Sequence, residues 1–171
     1  MGYVEGDAED EDAVNGASQE IAKYCENAEI YKGQDICKQK IIDFQAELGF
    51  PTGILRLNDI IEFGYNRQAG FVWILQKEKT EHRFKKIGNT VSYDTEITTF
   101  SEHHKMTKIA GIKSRGFLIW VPISDMYVSD LASGKINFKT YTRLGRTLPV
   151  SGFLLEDEQE EDKKKRKEGK K

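Results

Sequence analysis

Residues that could carry out acid–base or nucleophilic chemistry are few and scattered. A serine hydrolase of the α/β type needs the pattern G-x-S-x-G between a strand and a helix. The segment GIKSRG, residues 111–116, contains Ser114 but has one residue too many, and it joins two apolar β-type segments. We therefore predict a polar hairpin loop there. A serine paired with a distant histidine stays open, since unrelated folds assemble such triads from scattered residues.

Metal and cofactor sites are not predicted. His103 and His104 are adjacent, and neighbours on an extended chain point to opposite sides, so a surface turn is favoured over a metal site. Cys25 and Cys37 lack a CxxC spacing or a histidine at ligand spacing, and we expect them to be buried or half-buried thiols on helices. Glycine-rich phosphate-binding patterns are also absent from the sequence. Catalytic residues therefore remain unassigned.

Two apolar segments, each containing a tryptophan, suggest either a buried core or the binding of an apolar molecule. FVWIL (71–75) and FLIWVPISDMYV (117–128) are apolar at successive positions, so both faces of each predicted strand would need a cover. That cover could be the protein itself, a partner or a bound apolar molecule. A buried indole N–H needs an acceptor, and we expect either a packed core or an apolar cleft lined by Trp73 or Trp120.

A basic segment, QKEKTEHRFKK, follows the first of these strands. Arg83, Lys85 and Lys86 could receive the phosphate or carboxylate head of a ligand. Lysines on an exposed strand also discourage edge-to-edge aggregation, which is the alternative interpretation.

Helical periodicity is confined to the N-terminal third. Ser18 is a plausible N-cap for a first helix with Ile21, Tyr24, Cys25 and Ala28 on one face. A second helix, capped by Asp35, has a core-facing stripe and a stop at Gly49 and Pro51. The stripe consists of Cys37, Ile41, Phe44 and Leu48.

After Pro51 the pattern alternates with a period of two, as in strands. DIIEFGYN and FVWILQK flank the loop RQAG and predict a hairpin, and turn residues separate the later segments. The predicted fold is mainly β with an N-terminal α-helical segment, an antiparallel β-barrel or sandwich of about eight strands.

Charge is unevenly distributed along the 171 residues. Residues 1–17 are acidic, residues 156–171 join an acidic block to a basic one, and we expect both tails to be disordered around a single domain at 18–155. The basic run matches the composition of a nuclear import signal: Lys163, Lys164, Lys165, Arg166 and Lys167. With no signal peptide or transmembrane segment in the sequence, we predict an intracellular, cytoplasmic protein. A solvated tail is the favoured interpretation of the basic run, and nuclear entry is the alternative. The mildly basic body predicts no specific nucleic-acid partner.

Several short motifs, taken together, resemble the plant-enriched DUF538 family. They are GFPTGIL, GFVW, TEHRFKKIG, VSYDTE, GIKSRGFLIWVPIS, SGKINFKT and LPVSGF, and they span most of residues 28–153. The resemblance implies a β-rich, barrel-like domain preceded by a helix. It also implies family-level proposals of binding lipids or lipopolysaccharide-like amphiphiles, and of binding or hydrolysing chlorophyll.

The function expected from the residues and the resemblance together is non-catalytic binding of an amphipathic ligand, a lipid or a chlorophyll-like pigment. An ester hydrolase acting on such ligands and a protein-interaction module are the alternatives.

Overall fold

The computed structural model describes residues 19–115, 118–128, 132 and 134–155. Both predicted tails, Ser18 and the basic run at 163–167 lie outside these residues. The described chain begins in a helical segment, residues 19–24, which is followed by one long helix, α1 (Gln34–Glu47). The described strands are β1 (Glu29–Lys32), β2 (Ile60–Asn66), β3 (Phe71–Gln76), β4 (Thr80–Phe84), β5 (Asn89–Glu102), β6 (Lys105–Arg115), β7 (Val121–Tyr127), β8 (Lys135–Thr140) and β9 (Gly145–Pro149). A 3-10 helix, Val150–Phe153, follows β9.

The strands form one antiparallel meander sheet. Its order is β1-β2-β3-β5-β6-β7-β8-β9, and β4 pairs with the first half of β5 while β3 pairs with the second half. Among the described strands, β1 and β9 remain unpaired edges, so hydrogen bonds between these strands do not close the sheet. These findings confirm the predicted fold class, with β1 as a strand that the helical reading of the N-terminal third missed.

Helix α1 fills the inner face of the sheet, as its stripe predicted. Cys37, Ile41, Phe44 and Leu48 are all buried, and the Phe44 ring lies 5.1 Å from that of Tyr65 on β2. The cap differs from the prediction. Gly33 is the N-cap and makes no side-chain cap bond, while Asp35 lies in the first turn, where its charge favours the helix dipole.

The outer face of β3 is covered as well. Phe71 and Trp73 point away from α1 and are fully buried, and the Tyr24 ring of the N-terminal segment packs 4.7 Å from that of Phe71. Cys25, just after that helical segment, is exposed, which corrects the expectation for this thiol. The apolar pattern of FVWIL thus reflects a strand covered on both faces by the protein itself.

The C-terminal segment fills the gap between the two ends of the sheet. The Phe153 ring lies 4.9 Å from that of Phe84 on β4 and 5.4 Å from that of Phe138 on β8. Arg56 donates one hydrogen bond to the Gly53 carbonyl and another, 2.9 Å long, to the carbonyl of Leu154. In the sequence LPVSGF the first two residues end β9 and the last four form the 3-10 helix, whose aromatic residue acts as a wedge between the two ends of the sheet.

Two further predictions from the strand region are wrong. The segment at 117–128 becomes a strand only at Val121, and Leu118 and Ile119 are exposed; Phe117 lies outside the described residues. The GIKSRG segment is not a loop, because residues 111–115 continue β6. Because β6 extends to Arg115 and β7 begins only at Val121, Leu118 and Ile119 belong to neither strand and lie outside the core.

Candidate functional site

An apolar cleft of about 200 Å³ opens at the end of the sheet where β5 begins and β6 ends. Its walls come from β5 to β9, the turn between β4 and β5, and the 3-10 helix. The lining consists of Ile87, Asn89, Val91, Ser114, Val121, Ile123, Phe138, Thr140, Leu144, Gly145, Arg146, Leu148 and Phe153. Because the wedge residue Phe153 is among them, the C-terminal segment forms part of the cleft wall.

Asn89 is a lining residue that also carries one buried and unpaired polar atom. The residue begins β5 and shares its face with Val91 and Tyr93 by strand alternation, so its side chain lies on the core side. It is 5% exposed, and its carboxamide oxygen has no hydrogen-bond partner among the described residues. A buried acceptor left unpaired costs about 1–3 kcal/mol. A ligand that donates a hydrogen bond to this oxygen would remove that cost.

The mouth of the cleft is basic. Arg146 belongs to the lining, and Lys85 and Lys86 are exposed directly before the lining residue Ile87. Ser114 and Thr140 add hydroxyl groups to the wall. The cleft thus combines an apolar interior, one buried amide and a positively charged rim.

The predicted ligand-binding residues divide into two groups. Lys85, Lys86 and Trp120 lie at the end of the sheet where the cleft opens, although neither the lysines nor the indole lines it. Trp120 is half-buried, with the Arg115 guanidinium 4.9 Å from the ring centre. Ligand binding by these three residues stays a prediction.

Trp73 and Arg83 lie elsewhere. The Trp73 indole N–H donates a 2.8 Å hydrogen bond to the Glu62 carboxylate, so the acceptor that a buried indole needs comes from the protein. Arg83 is exposed on β4 and, by strand alternation, faces away from the buried ring of Phe84. Neither side chain lines the cleft.

A second opening of about 400 Å³ lies between α1, the 52–58 segment and β4. It is more polar, but key groups in it are already used by the protein. The Gln45 side chain bonds the carbonyl of Ile41 and the N–H of Leu55, and Arg56 bonds two backbone carbonyls. This opening is thus held together by its own contacts, and the apolar cleft is the stronger candidate.

The histidines and Ser114 are not assembled into an evident nucleophilic site. Val91 pairs with His82 on one side and Ser114 on the other, which separates these two residues by two strand spacings, about 10 Å. His103 and His104 form the turn at the other end of β5 and β6. A surface turn is therefore confirmed, but their rings are only 3.7 Å apart, because the turn, with a positive φ at His104, brings together side chains that an extended chain would separate.

Metal-binding geometry is likewise missing from the part of the chain that the structure describes. No three His, Cys, Asp or Glu residues come together there in a group that could hold an ion. Cys37 is buried, and its thiol contacts the carbonyl of Tyr31 at 3.2 Å.

Asn89, Phe138 and Phe153 were missed by the reasoning from sequence. For Asn89 a signal was present, because a polar residue that opens a strand on the same face as Val91 and Tyr93 must point toward the core. Phe138 and Phe153 gave no local signal, because their role depends on how distant strands meet.

The fold and the cleft define the class of protein: an antiparallel meander curled around one helix, with an apolar cleft at one end. A family model described as "Protein of unknown function, DUF538" matches residues 41–154, about two thirds of the chain. The chain belongs to this family, as the motifs indicated. No curated protein and no solved structure matches it. None of the described helices is long and apolar enough to span a bilayer.

Proposed function

We propose that this chain binds an amphipathic molecule, with the apolar end of the ligand in the cleft and an acidic head at the basic mouth. The observation that carries the proposal is a mostly apolar cleft whose mouth is flanked by exposed basic side chains, with the buried Asn89 carboxamide as one polar group in its wall. Ligand sites typically combine an apolar surface with a few polar groups that fix orientation.

The size of the cleft limits how much of the ligand it takes. Its volume of about 200 Å³ is below the roughly 300–1,000 Å³ of pockets that enclose most of a drug-sized ligand. One end of an alkyl chain or a small ring would enter, and the rest would lie along the mouth. A lipid with an acidic head and a pigment with a long apolar tail both fit this description.

The charge at the mouth favours an anionic head. Lys85, Lys86 and Arg146 are exposed there, and the described residues 85–88 and 141–146 contain no acid. Carboxylates and phosphates form charge-assisted hydrogen bonds with such side chains, and these are about twice as strong as neutral ones.

Calorimetric titration with dodecanoate, below its micelle concentration, tests the proposal. We expect saturable binding that weakens with hexanoate, because less apolar surface is buried, and with dodecyltrimethylammonium, because its charge is repelled. Val121→Trp should weaken binding by filling the cleft from a partly exposed wall position. Equal affinity for all three probes, or for this variant and the wild type, would contradict the proposal.

Asn89→Leu provides a second test in which stability and binding move in opposite directions. Removing a buried unpaired acceptor should leave the free energy of unfolding unchanged or raise it, while binding of dodecanol, whose hydroxyl can donate a hydrogen bond, becomes weaker. Ser92→Ala is the matched control, since the Ser92 hydroxyl is also buried without a described partner but does not line the cleft. If both variants lost dodecanol binding equally, Asn89 would have no specific role in the binding site.

A further inference from the structure

Three connections meet at the cleft end of the sheet. Thr90 pairs with Arg115, Ser114 pairs with Val121, and Thr140 pairs with Ile123. These registers place the turn at 85–88, the connection before Val121 and the turn at 141–144 at the same end of their strands. We call this end, with residues 85–88, 115, 118–120 and 143–146, the loop face.

The loop face exposes large aliphatic side chains. Leu118 is 81% exposed, Ile119 is 74% exposed and Leu144 is 69% exposed. Tyr141 is also exposed but is held back by the hydrogen bond of its hydroxyl to the Ile109 carbonyl, so it is not part of the loop face. Grouped apolar residues surrounded by polar ones mark an interaction surface.

The same loop face is strongly basic. Its exposed cations are Lys85, Lys86, Arg115, Arg143 and Arg146. The described residues of the loop face include no aspartate or glutamate, and none of the ion pairs found between described residues uses these five. The opposite end of β5 and β6 is mixed instead, because Glu102 and Lys105 lie opposite each other in the strand register there. The positive charge is therefore a local property of one end.

This combination fits an anionic lipid surface better than a protein partner. Protein interfaces are depleted in lysine, and their apolar cores are broad. Interfacial membrane binding instead uses a few aliphatic residues that enter the headgroup boundary, with Lys and Arg at the phosphates and a tryptophan at the same level. Trp120, half-buried under Arg115, occupies that intermediate position.

We propose that the loop face docks on anionic bilayers, with Leu118, Ile119 and Leu144 entering the lipid and the five basic side chains contacting headgroups. The proposal goes beyond ligand binding and does not depend on it. Docking at this face would bring the mouth of the cleft to the membrane surface, because Leu144 and Arg146 belong to both.

Cosedimentation of the full chain with vesicles tests docking. We expect binding to phosphatidylcholine vesicles that contain phosphatidylserine, and much weaker binding to phosphatidylcholine alone. Lys85→Glu/Lys86→Glu should weaken binding by about thirtyfold or more, because each basic residue near such a surface contributes about fivefold. Leu118→Ser/Ile119→Ser should weaken it by about tenfold or more, because little apolar area remains to enter the lipid.

Matched controls separate the loop face from the rest of the chain, including the basic run at 163–167, which every variant retains. Lys38→Glu/Lys105→Glu makes the same charge change on α1 and at the opposite turn. Ile36→Ser/Ile61→Ser removes two exposed isoleucines elsewhere. Both controls should bind within about threefold of wild type, since they leave the loop face intact. Controls that lose as much as the loop variants would overturn the proposal, as would loop variants that bind like wild type.

Trp120 reports the depth of docking. Brominated lipid should quench part of the tryptophan fluorescence, because Trp120 lies at the loop face while Trp73 is fully buried. Binding without quenching would place the contact elsewhere and refute docking at this face.

Conversion of an oligomer to a monomer by Leu118→Ser/Ile119→Ser, seen by light scattering, would identify a protein interface instead. This variant should still bind dodecanoate, since neither residue lines the cleft, so the two proposals can fail separately.

Discussion

Gly64→Ala should destabilise the protein because Gly64 lies directly beneath Trp73. The two residues pair across β2 and β3, and a Cβ at Gly64 would overlap the indole ring. Trp73 is fully buried and hydrogen-bonded to Glu62, so it cannot move without breaking other contacts. The absence of a side chain at Gly64 therefore leaves the space that the Trp73 ring occupies.

The expected loss combines three contributions. Overpacking a dense core costs about 1–3 kcal/mol. Displacing the indole also strains or breaks a hydrogen bond to a charged acceptor, worth about 1.5–3 kcal/mol. Replacing a strand glycine by alanine gives back about 0.5–1 kcal/mol of backbone entropy. We expect the free energy of unfolding to fall by about 1.5–5.5 kcal/mol.

Urea unfolding followed by circular dichroism measures this loss, and a double mutant assigns its cause. In a Trp73→Leu background, Gly64→Ala should cost less than about 0.5 kcal/mol, because the ring that the methyl group meets has gone. Gly145→Ala is the matched control, since a Cβ there meets only the Phe138 carbonyl oxygen at 3.6 Å. If Gly64→Ala is as mild as Gly145→Ala, or equally costly with and without the indole, the assigned packing is wrong.

Three other predictions concern buried polar groups. Tyr93→Phe removes the 2.7 Å hydrogen bond to the buried Ile54 carbonyl and should lower the free energy of unfolding by about 1–3 kcal/mol; an unchanged urea midpoint would contradict it. Burial raises the pKa of the Cys37 thiol above its ordinary 9.0 and the pKa of the Tyr93 hydroxyl above its ordinary 10.0. Below these ordinary pKa values both groups are neutral in the folded and unfolded states, and the stability that they contribute is complete. It is lost as pH rises through the raised pKa values of the folded state. Unfolding titrations should therefore show falling stability above about pH 9, and a flat profile would exclude this linkage. Ellman's reagent should label Cys25 in the native protein and Cys37 only after unfolding; rapid labelling of both thiols would show that α1 opens readily.

Short-range patterns predicted much of this fold, because the information they use lies within a few residues. The spacing of Cys37, Ile41, Phe44 and Leu48 indicates a helix with one buried face, and the loop before Phe71 ends in a glycine with positive φ that closes a hairpin. Such features are decided locally. The short strand β1 was missed because Gly33 separates it from α1 without a change in composition.

The candidate site was harder to predict because it is built from distant parts of the chain. The two tryptophans looked equivalent in sequence, but Trp73 is fully buried while Trp120 is half-buried just before β7. Leu118 and Ile119 have the pattern of a core strand, and only the length of β6 moves them beyond the core. Hydrophobicity alone does not distinguish an apolar residue that is buried in the core from one that is exposed on the surface.

The connectivity of the sheet also has a consequence for the order of folding. Nearly every strand pairs with its neighbour along the chain, so the hairpins close short loops and should form early. The hydrogen bond between Arg56 and Leu154 joins residues 98 positions apart. The Phe153 wedge also cannot pack until the C-terminal segment has been synthesised. We expect the cleft to be the last part of the molecule to acquire its shape, so that a ribosome must release almost the entire domain before the site can exist.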